Sequence, residues 1–365
     1  MHKLLSDILS IGITASIALA TGLVFRWLGL PAPFLIGSLF GVWFSGAAIA
    51  PLRTRLGIAR WLYLPVALGL GTLIGANFRP DVLAHINAAA ATVSAMAAAT
   101  ILATLVGLAY LMRVRHYDFT TAILSCIPGG QAEVVMMSRD LIDKDYVVAL
   151  FHLVRVAIVF CSTPLLLALI EGDAAVAASN ATLLGMPSLT TINLETLLVF
   201  LAVSVISLPV AQRLQIPMPH LIGPLLASSA LHIAGLIEIP RISEFVILAQ
   251  ITIGSSVGAR LAKVPFIELA GYLIDAVVNA VIILTTYGAM AFCIASLTGL
   301  DFVNMLLAFV PGGLYEVTLL ALIFGFDVAF VAFHHTIRVM LIFLSLPFIV
   351  GLATRQKPVT DAEKP

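Results

Sequence analysis

Long apolar stretches separated by short polar turns fill almost the whole chain. Stretches of roughly 20 apolar residues, a length that crosses a bilayer as a helix, recur six times in each half. They lie at about 8–27, 33–50, 61–78, 85–112, 118–142 and 146–170 in the first half, and at about 195–212, 218–237, 245–259, 267–298, 301–325 and 327–352 in the second. This pattern predicts an all-α polytopic membrane protein.

The two halves of the chain repeat each other. Residues 118–164 align without a gap on residues 301–347, an offset of 183, and 16 of these 47 positions are identical. Upstream, a Pro-x-Pro-x-Leu-Ile-Gly motif and a Gly-x-x-x-Gly-Ala motif also occur once in each half. Self-similarity on this scale indicates an internal duplication.

The duplication predicts the domain organisation. A polar stretch rich in Ala, Ser, Thr and Asn separates the two similar halves and is the natural linker. We therefore expect a first membrane repeat at 1–170, a linker at 171–194, a second membrane repeat at 195–352 and a polar tail at 353–365.

The positive residues predict how the chain is threaded through the membrane. Residues 118–142 carry Pro-Gly-Gly at their centre, so each flank is about half a membrane long. The segment either crosses as a broken helix or turns back as a re-entrant hairpin. If both such segments turn back, 14 Lys and Arg residues lie inside and 3 outside, whereas crossing gives 10 and 7.

The positive-inside rule favours the re-entrant arrangement. It predicts ten crossings in two inverted repeats of five, with both termini cytoplasmic and the linker outside. Twelve crossing segments are the alternative if the Pro-Gly-Gly segments cross.

Composition and charge narrow the class of function. Apolar residues make up 61% of the chain, charged residues 10%, and 19 basic residues balance 19 acidic ones. No basic surface is left for nucleic acid, whose binding depends on neutralising phosphates. The three cysteines lie inside apolar stretches, which argues against a disulfide framework. We expect the lipid bilayer and a small molecule or ion as partners, and no nucleic acid, cofactor or metal.

Candidate binding residues concentrate at the two Pro-Gly-Gly segments. A half-helix that starts after the glycines would point its free N–H groups and positive dipole end at the membrane middle. Two such tips resemble the sites of secondary transporters, although a tight turn packed in protein is the structural alternative. The candidate substrate- or ion-binding residues are Pro128, Gly129, Gly130, Glu133, His152, Arg155, Pro311, Gly312, Gly313, Glu316, His335 and Arg338.

A carboxylate and a guanidinium accompany each Pro-Gly-Gly segment. Glu133 and Glu316 lie in the first turn of the predicted half-helix, where the dipole favours a carboxylate. Arg155 and Arg338 follow 22 residues later, and we expect them to balance a charge that is costly in hydrocarbon. The pairs either hold the structure together or form a switchable proton, cation and anion site.

Other polar residues inside the apolar stretches are secondary candidates. His152 and His335 each share a helical face with the arginine three residues on, so each is either a hydrogen-bonded structural histidine or a proton relay. Asp275 and Asn279, four apart on one helix, are predicted as a coupling-ion site if they lie deep in the membrane. The glycine pairs allow helices to approach closely, either within the chain or in a homo-oligomer.

These doubled motifs resemble a known family. The paired Pro-Gly-Gly-x-x-Glu-Val and His-x-x-Arg patterns are similar to the duplicated-AbrB family of bacterial inner-membrane proteins, which is unrelated to the soluble transition-state regulator of that name. The resemblance covers most of the chain and implies an inner-membrane location. It also implies a role in regulation of gene expression, while some members are labelled ammonia monooxygenase. The family lies near the inverted-repeat antiporters and anion transporters.

The residues of this sequence support these family labels to different degrees. A transcription factor needs a DNA-reading module and a basic face, and a monooxygenase needs a metal or organic cofactor; the sequence shows a motif for neither. We expect a transporter-like or solute-sensing protein for a small anionic solute, which affects gene expression indirectly. The alternatives are a membrane-bound regulator that acts through a protein partner and, least favoured, an enzyme.

Overall fold

Helices provide the regular secondary structure of the described part of the chain. The computed structural model describes residues 2–80, 86–129 and 131–355. The helices are α1 (His2–Trp27), α2 (Pro33–Ala48), α3 (Ala50–Arg53), α4 (Arg60–Gly75), α5 (Ile86–Ala109), α6 (Phe119–Cys126), α7 (Gln131–Leu141), α8 (Asp145–Gly185), α9 (Leu194–Arg213), α10 (Pro219–Ile233), α11 (Ser243–Ala262), α12 (Ala270–Thr298), α13 (Phe302–Phe309), α14 (Leu314–Phe324) and α15 (Val328–Arg355). The predicted all-α class is confirmed.

Seven of the described helices are long and apolar enough to cross a membrane. They are Leu4–Trp27, Ala90–Val114, Asp145–Gly172, Leu194–Arg213, Ser243–Ala262, Ala270–Thr298 and Val328–Leu352. Shorter apolar helices are α2, α4 and α14. Each apolar stretch of the sequence corresponds to one helix or to a pair of short ones, as expected for a polytopic membrane protein.

The predicted linker, 171–194, is helical over much of its length. Gly172 has φ 80° and ψ 176°, which interrupts α8, and the helix then continues to Gly185. Alanine dominates this second part and has the highest intrinsic helix propensity, although the stretch lacks the apolar pattern of a membrane span. Glu244 of α11 binds the turn that follows. Its carboxylate accepts hydrogen bonds from the Ser188 hydroxyl (2.5 Å) and the Leu189 N–H (2.9 Å).

The chain forms two compact units, and each takes helices from both sequence halves. The first unit comprises Met1–Ala91, Val159–Pro265 and Gly313–Phe333, and the second comprises Thr92–Ile158, Phe266–Gly312 and His334–Pro365. The compact units therefore differ from the two similar halves of the sequence.

Close helix packing builds the core of the first unit. Gly254 and Gly258 of α11 lie against α2, and a Cβ at either position would lie 2.5 Å from the carbonyl oxygen of Leu35 or Leu39 respectively. Only glycine allows the two backbones to approach this closely.

The corresponding glycines of the first half pack in the same way. Gly71 and Gly75 of α4 lie against α10, where an added Cβ would clash with the carbonyl oxygens of Leu221 and Leu225. Each contact joins one helix from each half of the chain. At these four glycines the structure shows internal packing, one of the two interpretations that the sequence allowed.

An apolar cluster builds the core of the second unit. It joins α6, α7, α8 and α15, and its member Ile342 lies against Gly129. Its buried members are Ile123, Leu124, Ile127, Val134, Val148, Ile342 and Leu346. The break in the helix is thus held inside packed protein, where irregular backbone is tolerated.

Candidate functional site

The first Pro-Gly-Gly segment separates α6 from α7. Asp118 caps α6 by accepting a hydrogen bond from the Thr121 N–H at 2.8 Å, as its position predicts. The helix ends at Cys126, and Gly129 has a φ of 114°, a conformation that favours glycine. Gly130 and the side chain of Glu133 lie outside the described part of the structure.

The second Pro-Gly-Gly segment separates α13 from α14 in the same way. Asp301 caps α13 by accepting a hydrogen bond from the Asn304 N–H at 2.7 Å. Helix α14 begins at Leu314, directly after Gly313. The prediction that the aspartates are N-caps and that the second half-helices start near the glycines is confirmed.

His152 and Arg155 of α8 bind the carbonyl end of α6. The His152 Nε2 lies 2.9 Å from the Leu124 oxygen. The Arg155 Nη2 donates to the Ile127 oxygen at 3.0 Å and to the His152 Nδ1 at 3.0 Å. Both side chains are buried. Together they satisfy carbonyls that a helix end leaves without intrahelical partners.

His335 and Arg338 of α15 bind the carbonyl end of α13. The His335 Nε2 lies 2.9 Å from the Leu307 oxygen. The Arg338 Nη1 donates to the oxygens of Phe309 and Val310, both at 3.0 Å, and its Nη2 donates to the His335 Nδ1 at 2.8 Å. These residues lie 183 positions after their counterparts in the first cluster, and the geometry is nearly the same.

The guanidiniums bind carbonyls rather than carboxylates. Arg338 donates to the carbonyl end of α13, because a helix C-terminus carries the negative end of the helix dipole and attracts a cation. The predicted pairing of Arg338 with Glu316, a residue of the other compact unit, stays a prediction. Sequence spacing alone could not separate this partner from the glutamate.

Both histidines are fixed by two hydrogen bonds. Because the arginine donates to Nδ1, the proton lies on Nε2, which donates to the carbonyl. A neutral imidazole with both nitrogens engaged fits the structural interpretation better than the proton relay.

The second unit also brings the two arginines near each other and near Tyr287. The charges of Arg155 and Arg338 interact electrostatically, and each interacts with Tyr287. The Tyr287 hydroxyl donates to the Thr100 hydroxyl at 2.9 Å. The Nε atom of each arginine is buried and has no hydrogen-bond partner among the described residues. Tyr287 was not predicted as a site residue, because its position in an apolar stretch indicates only that it is buried.

Glu316 belongs to the first unit and lies in the first turn of α14. Its carboxylate folds back over the start of the helix, against the space beside Gly313 where a Cβ would lie. The side chain is buried, and its Oε2 has no partner among the described residues. Tyr63 and Arg260 interact with it electrostatically.

Aromatic rings surround this part of the first unit. The Tyr315 ring stacks on His220 with centroids 6.2 Å apart, and it meets the Tyr63 ring edge-on at 6.0 Å. Glu316 therefore follows a residue that is packed between two other rings. The counterpart of His220 in the first half of the chain is Phe34.

Asp275 and Asn279 of α12 have different partners. Asp275 accepts a hydrogen bond from the Tyr117 hydroxyl at 2.8 Å and forms an ion pair with the Arg115 Nε at 2.5 Å. Asn279 lies 3.7 Å from the Cys126 sulfur, at the end of α6. Asn279 thus adjoins the first break, whereas Asp275 anchors the turn that precedes α6.

Comparisons with known proteins match the chain to a family that carries a regulatory name. The family model described as "Transition state regulatory protein AbrB" matches residues 39–354. The chain is similar to "Putative regulator AbrB" of Escherichia coli (strain K12), with 26% identity over 97% of this chain and 99% of that protein.

A second relative matches a shorter part of the chain. "Uncharacterized protein YhjN" of Bacillus subtilis (strain 168) is 26% identical over 65% of this chain, and the chain spans 64% of that protein. No solved structure matches the chain.

Proposed function

We propose that this chain, which belongs to the AbrB family, is a secondary transporter or transporter-like sensor for a small anionic solute in the bacterial inner membrane. The observation that carries the proposal is the pair of His–Arg clusters, 183 positions apart, that bind the ends of α6 and α13 beside the Pro-Gly-Gly segments. Interrupted helices at membrane depth are how secondary transporters build their binding sites.

The proposed anion preference rests on the two arginines of the second unit. Arg155 and Arg338 are buried, interact electrostatically with each other and keep an unused Nε. Carbonyl dipoles only partly offset two buried positive charges. An anion that reaches the two guanidiniums would complete their hydrogen bonding and reduce their repulsion.

Glu316 is the proposed proton or cation site. A buried carboxylate with an unpartnered oxygen is costly when ionised, although the start of α14 offsets part of that cost. Protonation or cation binding would remove the rest. We propose the same role for Glu133, which occupies the matching place in the first repeat.

The second Pro-Gly-Gly segment is also where the chain passes from one compact unit to the other. Gly312 ends a segment of the second unit, and Gly313 begins a segment of the first. This position supports coupling between solute binding and a conformational change.

We further propose that the halves are inverted repeats and that regulation is indirect. The matching hydrogen bonds at an offset of 183 support common ancestry of the halves, and the Lys and Arg distribution supports their inversion. A transported or sensed solute would then account for the regulatory name of the relative. A regulator that acts through a protein partner is the second candidate, favoured by that name alone.

Transport by purified protein tests the proposal. Currents from proteoliposomes on a solid support are recorded after concentration jumps of succinate, sulfate and phosphate, with and without a proton gradient. We expect a current with at least one of these anions, and its loss in Glu133→Gln/Glu316→Gln. Glu268→Gln, an exposed position, is the control. Unchanged currents in the double variant would contradict the proton-site assignment. Absence of current with every anion would contradict transport.

A further inference from the structure

The first unit contains a second cluster of charged residues, away from both Pro-Gly-Gly segments. It lines a cavity of about 770 Å³ beside the ends of α4 and α10 and the turns that precede α11 and α15. Arg79 and Arg241 contribute the basic groups, and Glu238 and Asp327 the acidic ones. None of the candidate residues named above lines this cavity.

Arg241 is held in the cavity by a neutral partner. Its Nη2 donates to the side-chain oxygen of Asn77. Asn77 is fixed in turn because its own Nδ2 donates to the Leu73 oxygen of α4 at 2.7 Å. A guanidinium has five N–H donors, so this contact leaves most of the donor capacity of Arg241 available to a ligand.

Arg79 brings a second positive charge to the same cavity. Partial burial and the neighbouring Arg79 charge both lower the pKa of Arg241. Two like charges in one cavity repel each other, and an oxyanion bound by both would turn the repulsion into attraction.

Two other polar residues of the cavity, His232 and Asp327, already form hydrogen bonds within the protein. His232 uses both ring nitrogens, since Nδ1 lies 2.8 Å from the Ser228 oxygen and Nε2 accepts the Ile239 N–H at 3.0 Å. Asp327 accepts the Phe330 N–H at 2.9 Å and caps α15. Glu238 is the remaining acidic group, and its charge opposes an anion.

We infer that this cavity binds a small oxyanion between Arg79 and Arg241. The chemistry fits a free dicarboxylate, sulfate or phosphate and equally the phosphate of an anionic lipid headgroup. The planar guanidinium fork suits oxygen pairs of such groups. The negative charge of Glu238 limits the affinity for an anion. The inference does not depend on the proposed transport function.

Binding is measured on the purified full chain in lipid-free detergent. The melting temperature is followed while succinate, sulfate or phosphate is added at constant ionic strength, with chloride as the reference. We expect a saturable rise with at least one oxyanion. Arg241→Gln and Arg79→Gln should each weaken that binding about tenfold or more, the loss expected for a charge-assisted contact. Glu238→Gln should strengthen it.

The controls separate specific binding from general charge effects. Arg26→Gln removes an exposed arginine at the end of α1, and it should leave binding unchanged. Arg79→Gln is a second variant that keeps the Arg241–Asn77 contact, in case Arg241→Gln impairs folding.

A parallel titration with phosphatidylglycerol distinguishes the source of the anion. Stabilisation by free oxyanions supports a soluble ligand, and stabilisation by the lipid alone, lost in Arg79→Gln, supports a headgroup. If no anion stabilises the protein, or if Arg26→Gln weakens binding as much as Arg79→Gln does, the inference is overturned.

Discussion

At the residue scale, Arg338 shows how a full positive charge is kept inside an apolar fold. The guanidinium donates to two carbonyl oxygens at the end of α13 and to His335. The helix dipole places partial negative charge at that end. The arginine is therefore part of the structure of the break.

Replacement of Arg338 should destabilise the protein. Arg338→Met leaves the carbonyls of Phe309 and Val310 without a side-chain donor, and we expect a loss of roughly 2–6 kcal/mol, about 1–3 for each of the two buried unsatisfied groups. Arg338→Lys should lose less. Thermal unfolding in detergent measures the effect, with Arg26→Met as the control. Equal melting temperatures for Arg338→Met and the unchanged protein would show that the break does not need the arginine.

Replacement of Tyr117 should lower the stability less than replacement of Arg338 does. Tyr117→Phe removes the hydrogen bond to Asp275 and should lower the stability by about 1 kcal/mol. Tyr146→Phe is the matched control, because Tyr146 contacts Tyr272 through its ring and the phenylalanine keeps that contact. The comparison is again by thermal unfolding, and an equal loss in both variants would contradict a specific role for the Tyr117 hydroxyl.

At the element scale, glycines decide which helices meet. In the first unit α11 packs on α2 and α4 packs on α10, and each interface depends on two glycines four residues apart. Carbonyl oxygens occupy the space that a Cβ would need. Close van der Waals packing of this kind replaces the hydrophobic effect as the main attraction between helices in a membrane.

Substitution of Gly254 tests this packing. Gly254→Ala should force α11 and α2 apart and destabilise the protein by roughly 1–3 kcal/mol, as overpacking does. Gly12→Ala is the matched control, since nothing lies within 4 Å of an added Cβ there and alanine favours the helix. Stability is compared by chemical or thermal unfolding, and an equal response of the two variants would exclude the close-contact explanation.

The sequence predicted the helices well because membrane spans need long apolar runs. It also predicted the N-caps Asp118 and Asp301, whose role depends on local chain geometry. It could not predict the partners of Arg338, because a guanidinium binds a carbonyl as readily as a carboxylate and a carbonyl has no sequence signature. It could not predict the cavity either, because Arg79 and Arg241 are 162 positions apart and only the fold brings them together.

At the scale of the whole molecule, neither half of the sequence forms a compact unit alone. Each unit combines helices from both halves, and in the first unit α2 of one half contacts α11 of the other. The two halves therefore depend on each other for their packing, even though they resemble each other in sequence.

Separate expression of the halves tests this dependence. Residues 1–189 and 190–365, produced together as two chains, should copurify, because each completes the core of both units. Either half alone should aggregate or be degraded. The measurement is size-exclusion chromatography after affinity purification of one tagged half. A monodisperse, stable product from one half alone would contradict the mixed units.

The central claim is that two oppositely oriented repeats present their Pro-Gly-Gly breaks to a common solute, and topology tests it most directly. Reporters active only in the periplasm or only in the cytoplasm are fused at Thr190, in the exposed turn before α9, and after Pro365. We predict that Thr190 reports the periplasm and Pro365 the cytoplasm. If both report the cytoplasm, the repeats are parallel, the transporter proposal is contradicted and the partner-dependent regulator becomes the better account.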